Sequence, residues 1–212
     1  YGSTVGRKIV MAVTGMVLVG FITVHMAGNL LMFRGEAAMN DYAAMVQGNL
    51  PLLWGVRIVV FLSLVFHIHA AVALSRRSWA ARQQRYQRHT LRAATLSSRL
   101  MRIGGALLAI FVVFHILHFT TGNVLPSLFV KGDAYQNVVR SFSVGWVAVF
   151  YAVAMAGLAL HLHHGIWSAF QSLGVNHPNL ETGRRRLAWL LAVVIPVGFV
   201  AVPLAVVFGM VR

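Results

Sequence analysis

The chain has no cysteine. Disulfides are therefore excluded, as are iron–sulfur clusters held by its own thiolates and haem attached through C-x-x-C-H. Acid is almost as scarce: 4 Asp+Glu stand against 18 Lys+Arg, for a formal net charge of +14. Only 10% of the 212 residues are charged and 58% are hydrophobic, where a soluble domain has about a quarter charged and about half apolar. A cationic excess of this size suits a nucleic-acid partner, but its distribution does not. The cations flank uncharged blocks over 9–33, 58–75, 103–130, 141–180 and 187–211. About 20 apolar residues cross the hydrocarbon core as a helix, so the chain reads as an all-α integral membrane protein without a nucleic-acid partner.

Five spans fit the blocks, at about 7–33, 52–75, 98–122, 142–172 and 186–211. The first block is too long for the apolar region of a cleavable signal and is expected to span. Ser3 or Thr4 can cap the first span, and Pro51 suits the first turn of the second. The connecting loops, about 20 residues at most, are too short for a core of their own, so 1–212 reads as a single transmembrane domain. The basic residues divide by side. Segment 76–102 carries eight arginines and no acid, joined on its side by Arg7, Lys8, Arg184, Arg185 and Arg186. Arg34, Arg57, Lys131, Arg140 and Arg212 fall on the other, diluted by Glu36, Asp41 and Asp133. The positive-inside bias then puts the N-terminus in the cytoplasm and the C-terminus outside. Both long basic segments face the cytoplasm, where a docking partner or anionic lipid would meet them.

Histidine occurs inside four of the five blocks: His25; His67 and His69; His115 and His118; then His161, His163 and His164. Consecutive spans run in opposite directions, so histidines late in each must alternate in depth. At about 1.5 Å per residue, His67 lies roughly 14 Å and His161 roughly 15 Å above the inner surface. His25 lies roughly 26 Å up and His115 roughly 20 Å. Two levels emerge, each with one histidine pair, and two facing imidazoles at each level would hold two b-type haems stacked in a bundle of the first four spans. An iron with both axial positions filled favours electron transfer over ligand activation, and loop arginines can pair with propionates. Spacing does not choose between His115 and His118, or between His161 and His164, because each pair shares a helix face. A lone intramembrane histidine more often hydrogen-bonds between helices, which is the reading for His69, His118 and His163, while His89 and His177 fall in loops. Two other readings stay open on spacing: a haem-free structural anchor with packing histidines, and a histidine-lined cation or proton translocator. No Asp or Glu lies within a predicted span. Gly15, Gly20, Gly28, Gly104, Gly105, Gly157 and Gly165 lie within spans, where small residues admit a neighbouring helix or a flat ring.

The run of motifs YGSTVGRKIVMAVTG, VHMAGNLLMF, FHIHAAVAL, SSRLMRIGG, FHILHFTTG and HLHHGIWSAFQSLGVNHP resembles the dihaem cytochrome b membrane subunit of bacterial succinate:quinone oxidoreductases (complex II) and fumarate reductases. The resemblance covers nearly the whole chain. It implies axial haem ligands at His25, His67, His115 and His161, with His67 and His161 on the proximal, cytoplasmic-side haem iron and His25 and His115 on the distal one. It thereby selects His115 and His161 from the ambiguous pairs. Ser98, Arg99 and Arg102 become candidates for proximal propionate contacts. Asp41, Gln47 and His164 become candidates for the quinone site or for support of the haem ligands. The resemblance further implies a multi-pass subunit of the bacterial cytoplasmic membrane that takes no part in the dicarboxylate chemistry. An iron–sulfur subunit docks on its cytoplasmic face and carries the FAD flavoprotein where succinate and fumarate interconvert. Electrons pass between those clusters, two haem b groups and a quinone, menaquinone in preference to ubiquinone. Some members have an acid two positions before the last ligand; here it is Ala159.

Overall fold

The computed structural model describes residues 2–81 and 96–212. His89 and four of the arginines counted above (Arg82, Arg85, Arg88 and Arg92) lie outside the described residues. Among the described residues every regular element is helical. Helix α1 (Thr4–Asn29) is capped by Ser3, whose Oγ accepts from the Gly6 amide at 2.9 Å, and runs into a 3₁₀ turn over Leu30–Arg34. Gly35, at φ 99°, ends that turn in a backbone region that L side chains avoid. A short helix α2 (Glu36–Gly48) follows, then α3 (Leu50–Ala80), with Asn49 capping it and Pro51 in its first turn. Helix α4 (Leu96–His115) passes into a π turn over Ile116–Thr120. Helix α5 (Ala134–Phe142), capped by Asp133, precedes α6 (Gly145–Ser172) and α7 (Glu181–Val207).

Five of these helical stretches are long and apolar enough to cross a membrane: Thr4–Arg34, Leu50–Ala80, Leu96–Thr120, Gly145–Ser172 and Pro178–Val207. They turn large apolar side chains outward, among them Phe61, Ile103, Ile110 and Val197, as lipid-facing helices do. The chain is an all-α integral membrane protein. Several boundaries differ from those expected. The fourth span begins at Gly145, not 142, because Val144 is extended (φ −87°, ψ 103°) and breaks the chain from α5. The fifth begins at Glu181, five residues before the expected 186, because Glu181 pairs with Arg184 and Arg185 and draws the first turn into the helix. It ends at Val207, not 211. Helices α2 and α5 stand where loops were expected.

The end holding Thr4, Ala80, Leu96, Ser172 and Glu181 is called near here, the opposite end far. At the near end Arg77 donates to the Gly2 carbonyl (2.8 Å) and Thr4 Oγ1 (3.1 Å), tying α3 to the start of α1. At the far end α2 and α5 are joined through Asn40, which donates to Asp133 Oδ1 (3.1 Å) and accepts from the Tyr135 amide (3.0 Å). One apolar core lies there, built on Met32, Met39, Tyr135, Val138, Phe142, Tyr151 and Val202. A second runs along the α1, α6 and α7 seam through Met26, Leu162, Ile166, Ala188, Ala192 and Ile195.

The packing order positions the site. Helix α1 lies along α3 and α6, α4 lies along α6, and α7 lies along α6 while touching α1. Two pairs make no extended contact with each other, α1 with α4 and α3 with α6. They are the diagonals of the four-helix bundle, and α3 and α4 also stay apart at its edge.

Candidate functional site

The histidines meet across those diagonals. His25 of α1 faces His115 of α4 with ring centroids 5.8 Å apart, and His67 of α3 faces His161 of α6 at 6.3 Å. The rings are steeply inclined, by 78° and 61°. Each pair therefore bridges two helices whose backbones do not pack. Imidazole nitrogens bind a metal at about 2 Å, so an atom held between two facing rings sets their centroids roughly 6 Å apart, as in both pairs. Among the described residues no three or more His, Asp or Glu cluster as a self-sufficient metal site. A metal held by two imidazoles takes its other ligands from a group such as a porphyrin. The geometry fits that arrangement.

Three helices give the separation of the levels. A Cβ on Gly15 of α1 would lie 3.1 Å from His67 Cε1, so α1 passes the near pair at residue 15 and supplies His25 ten residues later. A Cβ on Gly105 of α4 would lie 3.7 Å from His161 Cε1, ten residues before His115. On α6, Tyr151 touches His115 ten residues before His161. Ten residues of helix rise about 15 Å, which sets the spacing of the levels. At Gly15 the absent Cβ is what lets the back of α1 pass this close to an imidazole, whereas at Gly105 the contact would be an ordinary one.

The near pair is held unequally. His67 Nδ1 lies 3.0 Å from the Met11 carbonyl and 3.4 Å from Thr14 Oγ1, whose own proton goes to Val10 O at 2.7 Å. His67 Nδ1 is thus the donor, leaving Nε2 with its lone pair. His161 Nδ1 is buried without a hydrogen-bond partner among the described residues. In the far pair His115 Nδ1 lies 3.2 Å from the Tyr151 hydroxyl, which is also 3.1 Å from His118 Nδ1. His25 stacks on Phe21 at 5.5 Å, and the Asn29 amide, bonded to the His25 carbonyl at 2.7 Å, lies 3.4 Å from its Nε2.

The remaining sequence candidates are more scattered. Ser98 is half-buried, and Arg99 and Arg102 are exposed, with Arg102 over the Trp79 ring at 5.2 Å. The buried serine of α4 is Ser97, 3.1 Å from His163 Nδ1, while His163 also packs on Trp189 of α7. Asp41 and Gln47 are exposed on α2, and the polar residue turned inward there is Asn40. His164 is half-buried with its ring 6.2 Å from Trp167. His69 is exposed, and His177 caps the turn before α7. Arg57 covers the Trp54 ring at 5.2 Å. Arg184, which sequence groups with the docking arginines, is buried instead, bonded to the Val175 carbonyl, Asn176 and Glu181.

Sequence reasoning missed Tyr151 and Thr14, which carry no spacing signal of their own. It also used Lys8 and Arg77 only for orientation. Both line a near-end cleft of about 670 Å³ between α1, α3 and α6, together with Thr4, Met11, Ser168, Gln171 and Ser172. Met11 is also the residue whose carbonyl holds His67.

With the fold and the paired histidines in place, comparison with known proteins gives one finding. A family model described as "Succinate dehydrogenase/Fumarate reductase transmembrane subunit" matches residues 73–201. That stretch includes His115 and His161. The curated proteins and the solved structures gave no match.

Proposed function

The chain belongs to the succinate dehydrogenase/fumarate reductase transmembrane subunits, and from that membership we propose that it is a dihaem member carrying electrons between an iron–sulfur subunit and membrane quinone. Membership makes it a membrane subunit that works with soluble partners. The observation that supports the finer reading is the placing of the two histidine pairs on the helix diagonals that do not pack. Facing imidazoles at two levels leave room for a flat ring at each.

In this reading His67 and His161 hold the near haem iron, and His25 and His115 the far one. When bound, each haem would supply a one-electron carrier held between the two imidazoles of its pair. The Met11 carbonyl and Thr14 keep the His67 ring in the tautomer whose Nε2 can bind iron. Gly15 leaves the space beside His67. Lys8 and Arg77, lining the near cleft, are the cations placed to meet the carboxylates of the near group. The apolar helices keep water from both levels. The near end is assigned to the cytoplasm by its cations, in a bacterial cytoplasmic membrane. The iron–sulfur subunit docks there and carries the FAD flavoprotein, and menaquinone is the quinone.

The test is haem content. The purified chain is expected to give about two haem b by pyridine haemochrome, the one-per-pair count for two bis-histidine sites. His25→Ala or His115→Ala should remove one redox-difference signal, and His67→Ala or His161→Ala the other. A chain without haem, or single variants that lose both signals equally, would overturn the reading in favour of a haem-free anchor.

A further inference from the structure

We infer that Tyr151 is a positioning residue for the ligand His115, its phenol oxygen accepting the Nδ1 proton of that ring while its own proton goes to His118. The inference rests on the two-haem reading above. Its geometry is a bridge: the Tyr151 hydroxyl lies 3.2 Å from His115 Nδ1 and 3.1 Å from His118 Nδ1. Tyr151 is only 7% exposed and His118 2%. Phe111 and Phe142 lie edge-on to the tyrosine ring at 5.0 Å, so water does not compete for its hydroxyl.

The direction of both hydrogen bonds follows from counting protons. A phenol has one proton and lone pairs to accept with, so it donates to at most one of the two imidazole nitrogens and accepts from a protonated one. If Tyr151 donated to His115, the proton of that neutral ring would sit on Nε2, which could then not bind metal. Iron at Nε2 therefore requires Nδ1–H on His115, accepted by Tyr151, and the phenol proton passes to His118 Nδ1. The His118 proton then sits on Nε2, a buried atom with no partner among the described residues. The π turn starting at Ile116 carries His118 on the same helix as His115, so the whole bridge spans only α4 and α6.

A ligand histidine that donates its other N–H is a stronger electron donor to its metal, and this favours the ferric state. Among the described residues the near pair has no such bridge: His67 donates to a backbone carbonyl and His161 Nδ1 has no partner. The effect of Tyr151 is thus confined to the far level. The test is a redox titration of the purified, haem-loaded full chain, with the two signals assigned by the ligand variants. Tyr151→Phe is expected to move the far midpoint potential to a more positive value and leave the near one in place. No shift, or equal shifts at both levels, would overturn the inference. His118→Phe leaves the phenol oxygen to accept but removes the acceptor for its proton, and should move the far potential the same way by less. Should Tyr151→Phe fail to keep the far haem, an unmoved potential in His118→Phe overturns the inference. A chain that binds no haem at all would instead sink the proposed function, so the two failures are distinguishable.

Discussion

At the scale of single residues, the site depends as much on what is missing as on the imidazoles. Gly15 carries no side chain where a Cβ would come within 3.1 Å of His67 Cε1. That distance is tighter than ordinary van der Waals contact, and a longer side chain must displace the ring. Gly15→Leu is therefore expected to remove or distort the near-level haem signal while the far one remains. Gly20→Leu, where nothing lies within 4 Å of a Cβ, should leave both signals unchanged; redox-difference spectra of the pair make the comparison. The histidines were legible because a polar ring recurring in four successive apolar blocks is conspicuous against its surroundings. Tyr151 was not legible. Nothing in its neighbourhood distinguishes a tyrosine that braces a ligand from one that fills a core, and only the crossing of α4 and α6 brings it to His115. Ser98 entered as a candidate through the resemblance alone, and nothing in the sequence showed that its neighbour Ser97 is the serine buried against His163.

At the scale of elements, the long helices could be read from their uncharged blocks, while α2 and α5 could not. Each is short and of mixed composition, so a hydropathy reading takes it for loop. Their helicity comes from local caps and from burial: Asp133 Oδ1 accepts from the Gln136 amide at 3.0 Å, and Tyr135, Val138 and Phe142 sit in the far-end core. Asn40 joins the two helices by one bond to Asp133 and one from the Tyr135 amide. Asn40→Ala removes both and leaves a backbone N–H to be satisfied elsewhere, a loss of about 1–3 kcal/mol. A lower thermal midpoint in detergent, with haem content retained, is the expected outcome; an unchanged midpoint would mean that α2 and α5 are held by apolar contact alone. The opposite end has its own clasp. Trp167 Nε1 donates to Glu181 Oε1 at 3.3 Å, and Arg184 and Arg185 pair with the same carboxylate. Glu181, the first residue of α7, thus serves the turn between α6 and α7.

For the whole molecule, orientation is the outstanding coarse property, and the absent cysteine makes it measurable. Any single cysteine introduced is the only thiol in the chain. Asn176→Cys lies in the exposed near-end turn before α7 and Gly132→Cys in the exposed far-end turn before α5. With nine cations among the described residues toward the near end and five toward the far end, a membrane-impermeant thiol reagent added to intact cells should label position 132 and spare position 176 until the membrane is opened. Labelling in the reverse order would invert the assignment.

The packing order has one more consequence. The chain folds as two antiparallel hairpins, α1 with α3 and α4 with α6, and each repeats one pattern: glycine, histidine ten residues on, then a histidine on the returning helix of the hairpin. An approximate two-fold along the bundle relates them, and each facing pair joins equivalent positions, His25 to His115 and His67 to His161. The symmetry is broken at the seams. Between α1 and α6 the hairpins are stitched together and roofed by α7, whereas between α3 and α4 they stay apart. The bundle is thus hinged along one side and open along the other, like a clasped pair of hands with the thumbs raised. Among the described residues the seam between α3 and α4 is the unpacked side of the bundle, the side by which a rigid disc too wide to slip between packed helices would enter.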